Sequence, residues 1–176
     1  MTASPQAHNA ALFAGLKVLV VDDSLEMRRL LVALLNVMGI DEVICAADGD
    51  TGLALFSERA PDLVITDGSM QPMDGYEMTR AIRAMRKEND APGQGADIPV
   101  LMLSGHMGPE IVARARDEGV TDYIVKPVTP ELLYERLLEA ISKPVHVVET
   151  PTYRGPSPTR RLVARQAGDL NGNSVD

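Results

Sequence analysis

The stretch that decides the fold is Asp62-Leu-Val-Ile-Thr-Asp67-Gly-Ser-Met-Gln-Pro-Met-Asp-Gly75. Leu63 to Ile65 form a short apolar run without helical spacing, and the run breaks off at a lone carboxylate, Asp67. A loop rich in Gly and Pro follows at once. Short β-branched runs bounded by turn residues read as buried strands, and unbroken apolarity fits a parallel sheet covered on both faces. Such a strand delivers Asp67 to the carboxyl edge of the sheet, where open α/β folds keep their sites.

Three other runs end in the same way. Lys17 to Val21 stops at Asp22-Asp23, Val100 to Leu103 at Ser104, and Tyr123 to Val125 at Lys126-Pro127. If the strands lie parallel, their ends bring together the carboxylates of Asp22, Asp23 and Asp67, the Ser104 hydroxyl and the Lys126 ammonium. Between the strands lie helical patterns. Ser24 or Asp23 can cap a first helix with Leu30, Leu31, Leu34, Leu35 and Met38 at helical spacing, ended by Gly39. Glu42 to Ala46 is a short strand, and Asp48-Gly49 opens a helix carrying Leu53, Leu55 and Phe56. Gly75 begins a third, with Tyr76, Met78, Ile82 and Met85 inward. A fourth spans about Pro109 to Glu118, and Thr129 can cap a last one bearing Leu132, Leu133, Leu137, Leu138 and Ile141. Strands alternating with such helices imply βαβ units, hence a doubly wound α/β sheet.

The 176 residues, 45% hydrophobic and 24% charged, suit one globular domain with some excess. We expect a flexible N-terminus over residues 1–14, a domain over 15–142, and a disordered tail over 143–176, where Pro144, Pro151, Pro156 and Pro158 preclude a continuous helix. Val145 to Val148 is the one piece of that tail able to add as a strand. A Gly-rich loop fills 88–98. The formal charge is −8, and the five basic and three acidic residues of 143–176 leave −10 on the rest. An acidic body argues against nucleic acid as a direct partner, because phosphate contacts need a basic face. No apolar run approaches the ~20 residues of a membrane span. The N-terminus lacks the pattern of a signal peptide, and the single Cys45 excludes a disulfide framework, so the expected place is the cytoplasm.

Close carboxylates repel, and one would take a proton unless a cation intervenes. Oxygen ligands with no nearby His or Cys suit Mg²⁺, which binds one or two carboxylates together with waters and phosphate oxygens. An Asp can also act as a nucleophile and form an aspartyl-phosphate. Phosphoryl transfer needs mostly positioning and charge neutralisation, for which a metal and a Lys are adequate.

Asp22-Asp23, Asp67, Ser104 and Lys126-Pro127, each at a strand end, resemble the receiver domains of two-component response regulators. Met70 and Met73-Asp74-Gly75 in the loop after Asp67 add to the likeness, which covers about residues 15–142. It implies a flavodoxin-like sheet of five parallel strands in the order 2-1-3-4-5. It makes Asp67 the phospho-acceptor. Asp23, Asp67 and the Ser69 carbonyl become Mg²⁺ ligands (or Mn²⁺ ligands), with Asp22 helping through water. Lys126 would pair with a phosphoryl oxygen and Ser104 would report phosphorylation. Tyr123 matches the aromatic that moves inward when that hydroxyl is drawn to the phosphoryl group, and Lys126-Pro127 the family's cis bond. Ser69 and His106 hold positions that in the family tune phosphoryl lifetime.

The family often has Met-Pro after the acceptor, whereas here Met70-Gln71-Pro72 stands, which predicts a local difference in the loop. The resemblance implies a stand-alone receiver that takes phosphate from a histidine kinase or phosphotransfer protein. It would then bind a downstream protein through its last two helices and fifth strand, and a phosphorylation-dependent homodimer stays open. Tyr153-Arg-Gly-Pro156 and Arg160-Arg161 are similar to the endings of some stand-alone receivers. Two other functions compete. A phosphatase with an Asp nucleophile needs a second Asp two residues on, where Ser69 stands, and a scaffold without phosphorylation leaves the acidic set unexplained.

Overall fold

The computed structural model describes residues 12–85, 97–106, 108–143, 147–151 and 153–157. Five strands make one parallel sheet: β1 (Lys17–Val21), β2 (Glu42–Ala46), β3 (Leu63–Asp67), β4 (Val100–Ser104) and β5 (Asp122–Val125). Their order is β2-β1-β3-β4-β5, the doubly wound arrangement expected from the alternating pattern. The crossovers are α1 (Leu25–Val37), α2 (Gly49–Arg59), α3 (Gly75–Ala84) and α4 (Pro109–Asp117), and α5 (Pro130–Ser142) follows β5.

Residues alternate across each strand, so one apolar run feeds two cores. Val18, Val20, Leu63, Ile65, Leu101 and Leu103 face α1 and α5, meeting Leu31, Leu35, Leu133 and Leu137. Leu19, Val21 and Val64 face the other way, onto Phe56 of α2 and Met78 and Ile82 of α3. A third cluster joins Tyr76 of α3, Met102, Tyr123 and Ala115 of α4. Both faces being covered is the reason the strands carry no alternation of polarity.

The caps follow the sequence closely. The Ser24 hydroxyl accepts from Met27 N at 3.2 Å, so Ser24 and not Asp23 caps α1. Asp74 and Glu77 form a reciprocal capping box at the start of α3. Thr129 caps α5 by accepting from Leu132 N at 3.3 Å.

Three expectations need correction. Leu30 is exposed, because the apolar stripe of α1 is centred on Leu31 and Leu35. Phe13 does not belong to a loose N-terminus: it is fully buried, and its ring meets Tyr134 edge-on at 5.6 Å. The tail is ordered in part. β6 (Val147–Thr150) and β7 (Tyr153–Pro156) form an antiparallel pair, with Val147 opposite Pro156 and Thr150 opposite Tyr153. The prolines exclude a helix but not a hairpin, in which Pro156 sits at the end of the pairing. The turn at Pro151 is closed by Thr150, whose hydroxyl accepts from Tyr153 N at 3.0 Å. Of the segment 145–148, Val147 and Val148 pair with β7 rather than with the main sheet, and residues 145 and 146 lie outside the described residues. Residues 88–96 of the Gly-rich loop and 158–176 of the tail, with Arg160 and Arg161, lie outside the described residues.

The hairpin is fastened to the domain at the C-terminal end of α4. The Tyr153 hydroxyl donates its one proton to Pro156 O at 2.6 Å, which closes the hairpin, and lies 3.3 Å from Arg116 O at the helix end. Burial raises the pKa of that phenol. Tyr153→Ala, or removal of residues 144–176, is expected to lower stability by about 1–3 kcal/mol, the scale of a partly buried aromatic with its hydrogen bond. Thermal unfolding followed by circular dichroism checks this, and Tyr153→Phe should lose about 1 kcal/mol or less.

Candidate functional site

Parallel register places the strand ends side by side. Val21 is opposite Thr66, Asp67 is opposite Leu103, and Ser104 is opposite Val125. Asp22, Asp67, Ser104 and Lys126 therefore emerge together at the carboxyl edge. Backbone bonds fix the exits: Gly68 N donates to Leu103 O at 2.9 Å, and Lys126 N to Ser104 O at 2.8 Å.

The carboxylate oxygens of Asp22, Asp23 and Asp67 all lie within 4.8 Å of one another. Asp22 is fully buried, Asp67 is 6% exposed and Asp23 is open to solvent. Lys126 Nζ donates to Asp67 Oδ1 at 2.9 Å and to Asp22 Oδ2 at 3.3 Å. The other Asp22 oxygen accepts from Ser24 N at 2.9 Å. Arg28 Nη1 donates to the carbonyl oxygens of Asp22 and Asp23 at 2.5 and 3.2 Å, which steadies the turn that presents both carboxylates.

The loop after β3 needs a very close approach. A Cβ on Gly75 would lie 2.0 Å from Asp67 O and 2.9 Å from Thr66 Oγ1, so only glycine lets α3 start there. Gln71–Pro72 in this loop is cis, the local difference that the displaced proline predicts, and Lys126–Pro127 is cis as the resemblance implies. Asp23, Gly68, Ser69, Met70, Gln71, Asp74 and Arg114 line an open cavity beside the carboxylates. Ser69 thus stands at the wall of the site.

Burial pushes the Asp67 carboxyl above its usual 3.8. The bond from Lys126 pulls the other way, and the charges of Asp22 and Asp23 add to the rise. Burial also opposes the charge of Lys126, but its bonds to Asp67 and Asp22 carry its pKa above 10.5. Three carboxylates against one ammonium leave two negative charges without a partner among these four residues. At an effective dielectric near 20, two unit charges ~4 Å apart repel by about 4 kcal/mol. An all-oxygen donor set with a surplus of negative charge fits a small hard cation.

The Ser104 hydroxyl is buried and accepts from His106 N at 3.2 Å. The side chain of Tyr123 is already inward: it is fully buried, and its hydroxyl donates to His106 O at 2.8 Å. Tyr123 shares a buried cluster with Tyr76. Sequence reasoning took Tyr76 as core alone and passed over Arg114. The guanidinium of Arg114 lies 4.1 Å above the Tyr76 ring and 2.7 Å from Asp74 Oδ2. Helical spacing alone carries no signal of a pairing across 40 residues.

A family model described as the response regulator receiver domain matches residues 18–138. The chain is 35% identical over 127 residues to a chemotaxis protein CheY homolog of Campylobacter jejuni, covering 72% of this chain and 92% of that one. It is also 35% identical over 127 residues to the probable transcriptional regulator ycf27 of Porphyridium aerugineum, where it covers 72% of this chain but only 48% of the relative. The chain thus spans about half the length of that regulator. The structure of Vibrio cholerae chemotaxis protein CheY4 is similar, with TM-score 0.64 and 35% identity, over 72% of this chain and 99% of that chain.

In the fold, the Asp67 carboxyl is raised, so ionised Asp67 costs stability. That cost is absent below the unfolded value near 3.8 and complete above the folded pKa. Asp67→Asn is therefore expected to stabilise the protein at neutral pH by about 1–2 kcal/mol, the usual scale for relieving a functional site. The gain should shrink as pH falls through the folded pKa, as thermal melts between pH 3 and 7 would show (roughly the range set by the linkage).

Proposed function

Because the chain belongs to the response regulator receiver family of two-component signalling, we propose that it is a phosphorylation switch whose acceptor is Asp67. The observation that carries this reading is Lys126 Nζ, 2.9 Å from Asp67 Oδ1 and beside two further carboxylates. That arrangement has one buried nucleophile, one cation for a phosphoryl oxygen and a donor set for a metal.

The donor is the phosphoimidazole of a histidine kinase or of a histidine phosphotransfer protein. An Asp67 oxygen attacks phosphorus, the P–N bond breaks, and its electron pair returns to the imidazole nitrogen. Lys126 turns from Asp67 to a phosphoryl oxygen as a point charge. Asp23, Asp67 and the Ser69 carbonyl would hold Mg²⁺ or Mn²⁺, with Asp22 acting through water; the ion supplies charge neutralisation on the transferring group. Ser104 gives its hydroxyl to another oxygen and draws the following loop, which carries His106, towards the site. Tyr123 reports that movement through its bond to His106 O, and α4, β5 and α5 present the change to a downstream protein. The protein catalyses only its own phosphorylation and dephosphorylation. It works in the cytoplasm; among the described residues no helix is long and apolar enough to cross a membrane.

Incubation with acetyl phosphate and Mg²⁺ is expected to add one phosphoryl group to the wild type and none to Asp67→Asn, read by intact mass. Failure of the wild type to label removes the reading. Lys126→Ala should label slowly and show no shift of backbone amide resonances around α4 when it does. A normal shift in that variant would show that Lys126 is not the coupling residue. Mg²⁺ at ten times its dissociation constant should stabilise the wild type by about 1.4 kcal/mol. Asp23→Asn should lose most of that gain.

A further inference from the structure

The inward position of Tyr123 is held by groups that lie outside the carboxylate cluster. Its hydroxyl donates to His106 O at 2.8 Å, and its ring shares a buried cluster with Tyr76. Tyr76 is 4% exposed and belongs to the cluster with Met102, Ala115, Val120, Tyr123 and Val125. Burial, with Tyr123 next, raises its phenol well above the ordinary range, so it stays neutral. Its ring lies against the backbone just after the acceptor: a Cβ on Gly68 would come within 3.2 Å of Tyr76 Cε2 and 3.4 Å of its hydroxyl oxygen.

Arg114 covers the outer face of the same ring. Its guanidinium carbon is 4.1 Å from the ring centroid, and Nη2 reaches Asp74 Oδ2 at 2.7 Å. The other Asp74 oxygen caps α3 by accepting from Glu77 N at 2.7 Å. One residue of α4 is thereby tied to the N-terminus of α3 and to the aromatic that touches both Gly68 and Tyr123.

We propose that Arg114 is a positioning residue that latches α4 to α3 through Asp74 and Tyr76, and so holds Tyr123 inward and sets how readily the Ser104 loop rearranges. The coupling to phosphorylation rests on the receiver reading; the latch itself does not. An exposed ion pair and a cation–π contact together amount to a bias of about five- to thirty-fold on a two-state element. That is enough to tune a switch without locking it.

The test uses the full chain labelled with 3-fluorotyrosine and followed by ¹⁹F NMR, with the Tyr123 signal assigned from Tyr123→Phe. Without any phosphoryl analogue, Arg114→Ala is expected to shift or broaden the Tyr123 signal, with a population change of about five-fold or more. Arg114→Lys, which keeps the charge for Asp74, should restore part of the wild-type signal. Tyr76→Phe keeps the ring under Arg114 but removes the hydroxyl, and should move the Tyr123 signal while leaving the amide resonances of α4 in place. An unchanged Tyr123 signal in Arg114→Ala overturns the latch, whatever Tyr76→Phe does. Beryllofluoride with Mg²⁺ is then added to each protein. A wild type that does not respond sinks the receiver reading, while the spectra without analogue still decide the latch. If the wild type responds, the Arg114→Ala variant should saturate at a different analogue concentration, by about five-fold. Equal concentrations would remove the coupling.

Discussion

Three carboxylates of the same sign share one edge of the sheet, and Lys126, just after β5, two places from β3 and three from β1, is the ammonium that bonds two of them. Such a group of charges does not assemble by itself. The packing of the five strands must force it, and the cost is borne by the two cores beneath. Val18 to Val21, Leu63 to Ile65 and Val100 to Leu103 are all fully buried, so a slip of any strand would expose apolar surface on both faces. Register, once fixed by those residues, leaves Asp22, Asp67 and Lys126 no alternative position. The same logic accounts for Gly75, which lets the next helix begin against the backbone of Asp67.

At the other edge of the sheet the polar groups are arranged for permanence. Arg83 is 2% exposed and donates to Ile98 O at 2.8 Å, Gly119 O at 3.0 Å and Thr121 Oγ1 at 3.2 Å. Arg136 pairs with Asp122 at 3.2 Å and with Glu139 at 2.6 Å. A buried arginine fixes geometry by donating in several directions at once, and removing one partner strands a charge. The start of β4, the start of β5 and helix α5 are held in this way, whereas the opposite edge ends in loops that leave the acidic group partly open.

How much of this was legible in the sequence follows from what each signal encodes. Strand positions, helix faces, caps at Ser24 and Thr129, and the convergence of Asp22, Asp23, Asp67, Ser104 and Lys126 follow from short-range pattern and parallel topology. Those depend on neighbours within a few residues, which a sequence displays directly. Phe13 was missed because an isolated aromatic in a polar segment has no periodicity to betray its burial against Tyr134. The hairpin was missed because prolines speak against helices with more force than against strands, and because its anchor is a carbonyl at Arg116, a backbone atom that residue type does not reveal. Arg83 and Arg114 were missed for a related reason. A charged residue on an amphipathic helix reads as solvated unless its distant partner is known.

Helix α4 is where these two classes of interaction meet. Only Ala115 among its nine residues is buried, against five buried residues in α5, and its N-cap Gly108 offers no side-chain hydrogen bond. Hydrophobic burial at about 25 cal/mol per Å² therefore contributes little to where α4 sits. Its position is set by a few polar contacts: Arg114 with Asp74 and Tyr76, Glu118 with Arg80 at 3.1 Å, and the Tyr153 hydroxyl near Arg116 O. Each such contact is worth on the order of 1 kcal/mol or less, so their sum is comparable with the energy that the proposed phosphoryl group would redirect. An element held this lightly can change place while the sheet beneath it does not. The tail hairpin grips the C-terminal end of α4 and Arg114 its middle, so movement of the Ser104 loop at its N-terminal side would act on a helix already tied at two points. The proposed switch would draw its sensitivity from the sparse packing of one helix and its fidelity from the dense packing of the five strands.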